Sequence, residues 1–247
     1  MKAKILFFDV ETSPSLGYVW QKWETNVIEF KQEWDILSFA FKWQGDRAVH
    51  VQSQRAQSET SVLKKLWKVL DAADVVVAHN GKSFDVKKTN ARFISVGMPP
   101  PSPYKLVDTK IEAKKYFNFS SNSLNDLGKQ FKLGKKVSHT GFEMWLGCMN
   151  GESASWDLME KYNKQDVVLL EAVYNKLLPW MDTHPNVSHI VGRPEGCPKC
   201  GSKHLQARGK VRTKTQVYRS FQCQSCGGWC RARLAEKDVV KPKVVNL

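Results

Sequence analysis

Cys197-Pro-Lys-Cys200 and Cys223-Gln-Ser-Cys226 place two Cys-x-x-Cys pairs 22 residues apart near the end of a 247-residue chain. Four thiolates at that spacing suit a tetrahedral Zn²⁺ ion, and a segment this short has too little apolar surface to fold without one. Gly201 and Gly227 follow the pairs and suit the tight turn of a metal knuckle, while Lys210–Gln222 alternates as a strand pair does. Residues 197–234 therefore read as a zinc ribbon holding one structural Zn²⁺. Cys230 is a substitute ligand of worse spacing, and Cys148 stands alone as a small core residue. The Met1 start runs straight into a charged, strand-like segment and carries no secretory pattern, so a disulfide framework is not expected and a cytoplasmic location is.

The charge divides the chain the same way. Residues 193–247 hold 13 Lys+Arg against three Asp+Glu, a net of +10, whereas the chain as a whole is +14. The stretch from Asp182 to Pro198 has three Pro, two Gly and no helical period, which predicts a linker. The expected organisation is a body at 1–182, a linker at 183–196, the ribbon at 197–234 and a basic tail at 235–247. Such a balance points to a polyanionic partner. In the ribbon, Arg208, Lys210, Arg212, Lys214, Arg219, Arg231 and Arg233 alternate with Tyr218, Phe221 and Trp229. Cations neutralise phosphates and rings stack on bases, so this surface reads as nucleic-acid binding, with Arg212 and Arg219 as candidate contacts. The alternative is a protein-docking knob. No apolar run approaches the ~18 residues of a membrane span, and no membrane partner is expected.

Within the body, Ile5–Asp9 and Val75–Ala78 are continuous apolar runs of the kind buried on both faces of a sheet. Ile36–Trp43 and Ala48–Gln52 flank a turn and predict a hairpin. Helices are expected over Ser61–Asp71, from a Ser83 cap to about Val96, over Lys110–Phe117, from a Ser123 capping box to about Phe131, and from Asp157 to the stop at Pro179. Leu106–Asp108 is a short strand. The resulting fold class is α/β, a mixed sheet with helices packed on it.

Several carboxylates sit where apolar residues belong. Asp9 and Glu11 are two apart on a strand and continue the stripe of Ile5 and Phe7. Asp85 opens the helix after the Val75–Ala78 strand. Asp166 falls on the stripe Met159, Tyr162, Leu170, Val173 and Leu177, one helical turn after Tyr162. A buried carboxylate is costly unless paired or metal-bound. Four such acids together suit two Mg²⁺ or Mn²⁺ ions, which take oxygen ligands and phosphate oxygens in phosphodiester hydrolysis.

These residues resemble the DEDD 3′→5′ exonucleases of the ribonuclease H-like fold. Phe8–Pro14 (FDVETSP) is similar to the first exonuclease motif, His79–Asp85 (HNGKSFD) to the second and Tyr162–Asp166 (YNKQD) to the third, in its Tyr-x-x-x-Asp form. Lys161 stands where the other branch of the superfamily has His. The tyrosine branch, similar to the proofreading domain of family B DNA polymerases, is thus the closer match, over about residues 4–180. LVDT at 106–109 and NSLNDLGKQF at 122–131 resemble secondary segments. The resemblance implies a ribonuclease H-like mixed sheet and release of nucleoside 5′-monophosphates. It further implies Asp9, Glu11, Asp85 and Asp166 as metal ligands, Tyr162 orienting the attacking water, and Thr12, Asn80, Phe84 and Asp108 at the substrate strand. No polymerase is expected in the chain, so the nuclease stands alone or works with a separately encoded polymerase or another replication or recombination protein, with DNA favoured over RNA. An RNA exonuclease, a structure-specific endonuclease and a catalytically silent binding module on the same fold are the alternatives. Trp20, Trp23, Trp34 and Trp43 are expected to pack in the core or a hairpin in preference to stacking on substrate.

Overall fold

A computed structural model describes residues 2–23, 26–136, 140–237 and 242–245. The chain divides into two compact units, residues 4–174 and residues 175–247 with the first three residues. Of the expected basic tail, positions 238–241 and 246–247 lie outside the described residues.

The larger unit begins with β1 (Ile5–Thr12), a small hairpin β2 (Leu16–Tyr18) and β3 (Glu29–Gln32), then β4 (Ile36–Trp43) and β5 (His50–Ser53). It continues through α1 (Glu59–Asp71), β6 (Val75–Ala78), α2 (Asp85–Ser95), β7 (Lys105–Asp108), α3 (Thr109–Tyr116), α4 (Leu124–Gln130), α5 (Phe142–Met149) and α6 (Ser153–Leu177). Five strands form one sheet in the order β5-β4-β1-β6-β7. β1 pairs antiparallel with β4 and parallel with β6, and β6 pairs parallel with β7, so the sheet is mixed. The apolar run at the start of β1 has its cause in that central position. Leu6, Phe8 and Val10 pack with Val62, Leu63, Leu66 and Phe93 of α1 and α2. Phe7, on the opposite face, meets Tyr174 of α6 edge to face, with ring centroids 5.3 Å apart. Asp9 shares the parity of Phe7, so the strand aims its first carboxylate at α6.

Local signals place the helices. Ser58 accepts from Ser61 N and caps α1, and Ser123 accepts from Asp126 N at 3.2 Å and caps α4. Ser83 does not cap α2: Phe84 takes the cap position, and no side chain there bonds the helix amides. Helix α5 was not anticipated, and α6 begins at Ser153, four residues before Asp157.

The smaller unit contains α7 (Val187–Ile190) and the antiparallel strands β8 (Leu205–Arg212), β9 (Val217–Cys223) and β10 (Trp229–Arg231), in the order β10-β9-β8. The segment expected as linker is therefore not structureless. Asn186 caps α7, Val187 and Ser188 are buried, and Val187 N donates to Pro198 O at 2.7 Å.

Candidate active site

The second motif is built as a turn between β6 and α2. Asn80 adopts φ of 68°, a left-handed conformation that Asn tolerates better than most side chains. A side chain at Gly81 would collide with Ala78, so the turn requires glycine there. His79 is held between Thr109 Oγ1 at 2.9 Å and Asn122 O at 3.0 Å, and burial lowers its pKa to about 4, which keeps the ring neutral. Asp108 completes the scaffold. Its carboxylate accepts from the backbone N–H of Asn80 and Lys82, each at 3.0 Å, and from those of Lys110 and Ile111 at the start of α3. Asp108 is expected at the substrate strand, and in the structure its carboxylate makes these four bonds. A buried carboxylate bonded to four backbone amides anchors the turn and the helix.

Asp85 opens α2 and is 2% exposed, with Val10 N donating to its Oδ1 at 3.2 Å. This bond ties the second motif to the first. Asp9 and Glu11 end β1, where the pairing register with β4 shifts between Glu11 and Thr12, a bulge of the kind that re-aims side chains beside functional sites. Helix α6 then delivers Tyr162 and Asp166, the latter 1% exposed. One carboxylate oxygen from each of Asp9, Glu11 and Asp166 lies within 4.8 Å of the others. Asp85 stands outside that group of three. It is nevertheless the strongest of the charges acting on Asp9.

Two further residues shape the cluster, and the sequence reading did not single them out. Asn163 is fully buried, and its Nδ2 donates to Asp9 Oδ2 at 2.7 Å while its Oδ1 accepts from Ser38 Oγ at 3.1 Å. Lys136 reaches in from the loop after α4, donating to Tyr162 Oη at 3.0 Å and forming an ion pair with Asp166. Its backbone N–H is fixed by Asn125 Oδ1 at 3.1 Å. Trp145 of α5 packs edge-on against Tyr162, with centroids 6.5 Å apart.

The electrostatics follow from crowding acids in a dry place. Burial, then Asp85, Glu11 and Asp166, push Asp9 well above the usual carboxylate range. Burial and Asp166 push Glu11 up to about 8, and burial pushes Asp85 up to about 7. Burial opposes the charge on Lys136, but Asp166 and the Tyr162 hydroxyl more than offset it, and its pKa is raised. Burial and Asp166 also raise Tyr162, so its hydroxyl keeps its proton at neutral pH. The donor set is hard, oxygen-only and short of positive charge, and that combination fits a divalent cation.

In the smaller unit, the sulfurs of Cys197, Cys200, Cys223 and Cys226 all lie within 4.8 Å of one another. Cys197 Sγ is 3.7 Å from Cys226 Sγ, and Cys200 Sγ is 3.6 Å from Cys223 Sγ. A tetrahedron with Zn–S bonds of about 2.3 Å has sulfurs ~3.8 Å apart, so the spacing fits zinc and is far too long for a disulfide. Gly201 and Gly227 have φ of 72° and 75°, as the knuckle turns demand. Hydrogen bonds from the Cys200 and Cys226 thiols hold Cys197 below the usual thiol range.

Among the remaining expected contacts, Asn80 is half-buried at the motif turn and Phe84 is 37% exposed beside it. Thr12 follows Glu11 at the bulge. Arg212 and Arg219 are exposed on β8 and β9. The tryptophans separate: Trp34 and Trp43 pack against the core, whereas Trp20 and Trp23 are 84% and 86% exposed on and beside the β2–β3 hairpin.

The profile of the RNase_H_2 family, described as RNase_H superfamily, matches residues 6–178. This chain belongs to that superfamily. A solved relative in shape is the family B DNA polymerase from the hyperthermophilic archaeon Pyrobaculum calidifontis, with a TM-score of 0.56 at 16% identity. The match covers 73% of this chain and 25% of the polymerase, and it is a likeness of fold. No curated protein matches the sequence.

Proposed function

We propose that this chain is a metal-dependent 3′→5′ exonuclease of the tyrosine branch, acting on single-stranded DNA and releasing nucleoside 5′-monophosphates. The observation that carries the reading is the convergence of Asp9, Glu11 and Asp166 within 4.8 Å, beside a Tyr162 hydroxyl bonded to Lys136. Asp9, Glu11 and Asp166 would hold Mg²⁺ or Mn²⁺, with Asp85 adjoining Asp9 as a ligand to a second ion. When bound, such ions lower the pKa of a water and neutralise charge on the phosphate. Tyr162 would orient the attacking water through its hydroxyl, which holds its proton in the metal-free chain. Lys136 fixes the Tyr162 hydroxyl and brings positive charge to the acidic cluster, where it would favour a phosphate. Asn163 holds the Asp9 carboxylate in one rotamer, and Asp108 holds the turn that presents Asn80 and Phe84 to the strand. The four cysteines would hold one structural Zn²⁺, and the ribbon so formed adds affinity for nucleic acid. The shape likeness to a DNA polymerase supports DNA as the substrate class.

The test is Mg²⁺-dependent digestion of 5′-labelled single-stranded DNA, duplex DNA and RNA, beside an Asp9→Ala control. A stepwise ladder on single-stranded DNA, absent in the control, is the expected result. A ladder on RNA alone would transfer the reading to an RNA exonuclease. Binding without cleavage of any substrate would leave a silent binding module.

A further inference from the structure

The two faces of the three-stranded sheet in the smaller unit differ, and the difference points to a ligand. Directly opposed residues in antiparallel strands share a face, and alternate residues along a strand do too. Trp229 is opposite Gln222, which is opposite Gln206, so these three form a row across all three strands. Arg231 lies two residues from Trp229 on the same face, and its guanidinium stacks over the Tyr218 ring at 3.8 Å from the centroid. Arg208 lies in the register shift between Ala207 and Lys210 and donates to Gln206 Oε1 at 3.1 Å, which brings its guanidinium to this row. Trp229 is 53% exposed although its ring is the largest apolar group on the sheet. None of these six residues is acidic. The opposite face carries Cys223, Phe221 and Ala207 with the exposed Arg219 and Arg212, and there Lys210 is ion-paired with Glu236.

We infer that single-stranded nucleic acid lies across the face of Trp229, Arg231 and Tyr218, with one unpaired base stacked on the Trp229 ring; the inference rests on the nucleic-acid reading above. An exposed indole on a face that also carries guanidinium groups suits a base and its neighbouring phosphates. Arg231, steadied by Tyr218, and Arg208 supply the phosphate contacts, and the amides of Gln222 and Gln206 reach base edges. The net charge of +10 on residues 193–247 complements a polyanion. A protein partner would find little apolar surface here beyond one ring and Val211. Duplex DNA is a poor fit, because its bases are already stacked on one another.

The experiment uses the full zinc-loaded chain in an Asp9→Asn background that prevents digestion, with a fluorescein-labelled 20-nucleotide oligo(dT) and a duplex of equal length as probes. Anisotropy titrations across a salt series are compared for the parent, Trp229→Ala, Trp229→Phe and Arg231→Ala, with zinc content measured for each. Trp229→Ala should weaken oligo(dT) binding about tenfold, leave duplex binding within about twofold, and leave the salt slope unchanged. Trp229→Phe keeps a ring and should recover most of the affinity. Arg231→Ala should lower the log–log salt slope by about 0.7, the value for one phosphate on a single strand. Equal affinity of parent and Trp229→Ala would overturn the inference, as would equal losses on both probes. So would failure of Trp229→Phe to recover binding with zinc content intact. A chain that digests DNA yet passes one of those results keeps the nuclease reading and loses this one. A parent that binds neither probe overturns the inference whatever the digestion assay returns.

Discussion

The chain contains two clusters of like-charged ligands, and it holds them in opposite ways. Around Asp9, Glu11 and Asp166 the protein is thick: β1 is central in its sheet, and Leu6, Phe7 and Phe8 are fully buried beneath the acids. Around the four cysteines it is thin. Residues 206–212 of β8 are all exposed, and the buried cysteines Cys197 and Cys223 are themselves part of what core there is. In the larger unit, hydrophobic burial holds the carboxylates together against their repulsion. In the smaller one, the ligands have to hold the strands together. On the function proposed above, a cation would be an addition to the first site and a structural member of the second.

Removing ligands one at a time should break that symmetry. Asp9→Asn should reduce the rate of DNA digestion by at least about 10²-fold while the metal-free variant melts no lower than the parent, because a repelling charge has gone. A variant that unfolds, or that digests at the parental rate, would mean the acids are structural.

A smaller and more selective effect is expected beside the acids. Tyr162→Phe should keep Mn²⁺ affinity by calorimetry and lose about tenfold or more in kcat, since only a hydroxyl that orients water is removed. Lys136→Met should also lower kcat, and in addition it should raise Mn²⁺ affinity, because a cation that competes for Asp166 has gone. Weaker Mn²⁺ binding in Lys136→Met would show that the ammonium supports the metal site.

The mildest effect is a pH dependence. Asp9, Glu11 and Asp85 hold their protons more tightly in the folded chain than carboxylates do when unfolded, Glu11 up to about 8 and Asp85 up to about 7. Between about pH 4 and pH 8 the folded state therefore binds more protons than the unfolded one, and stability falls as pH rises through that window. Thermal melts of the metal-free chain should show the larger unit losing stability from pH 5 to pH 8. Asp85→Asn should flatten the trend, and Mg²⁺ should raise the midpoint more at pH 8 than at pH 5. A midpoint rising with pH across that range would reverse the assignment.

Much of this contrast was legible in the sequence, for reasons that differ by residue. Asp9 and Glu11 showed themselves by continuing a buried parity, and Asp166 by interrupting a helical stripe; both are local signals. Asn163 carried the same signal, four residues after Met159 on that stripe, and a stricter count of buried polar positions on α6 would have found it. Lys136 carried none. It is one of three lysines in the five residues 132–136, and which one enters the site is decided by loop closure and by Asn125. At Asp108 a carboxylate at a strand end serves a ligand or a helix cap equally well on paper, and the cap shows only in the hydrogen bonds from Asn80, Lys82, Lys110 and Ile111. Trp20 and Trp23, expected in the core or a hairpin, are exposed because the β2–β3 pair beside them has no buried residue to pack on.

One chelation experiment bears on the whole comparison. Hydrogen exchange is followed by mass spectrometry on the full chain before and after EDTA strips divalent ions from both clusters. The account predicts that amides of β8 and β9 lose their protection, while those of β1, β4 and β6 keep it. Retained protection at β8 and β9 would contradict a metal-dependent smaller unit, and lost protection in β1 would contradict a larger unit that holds its acids without a cation.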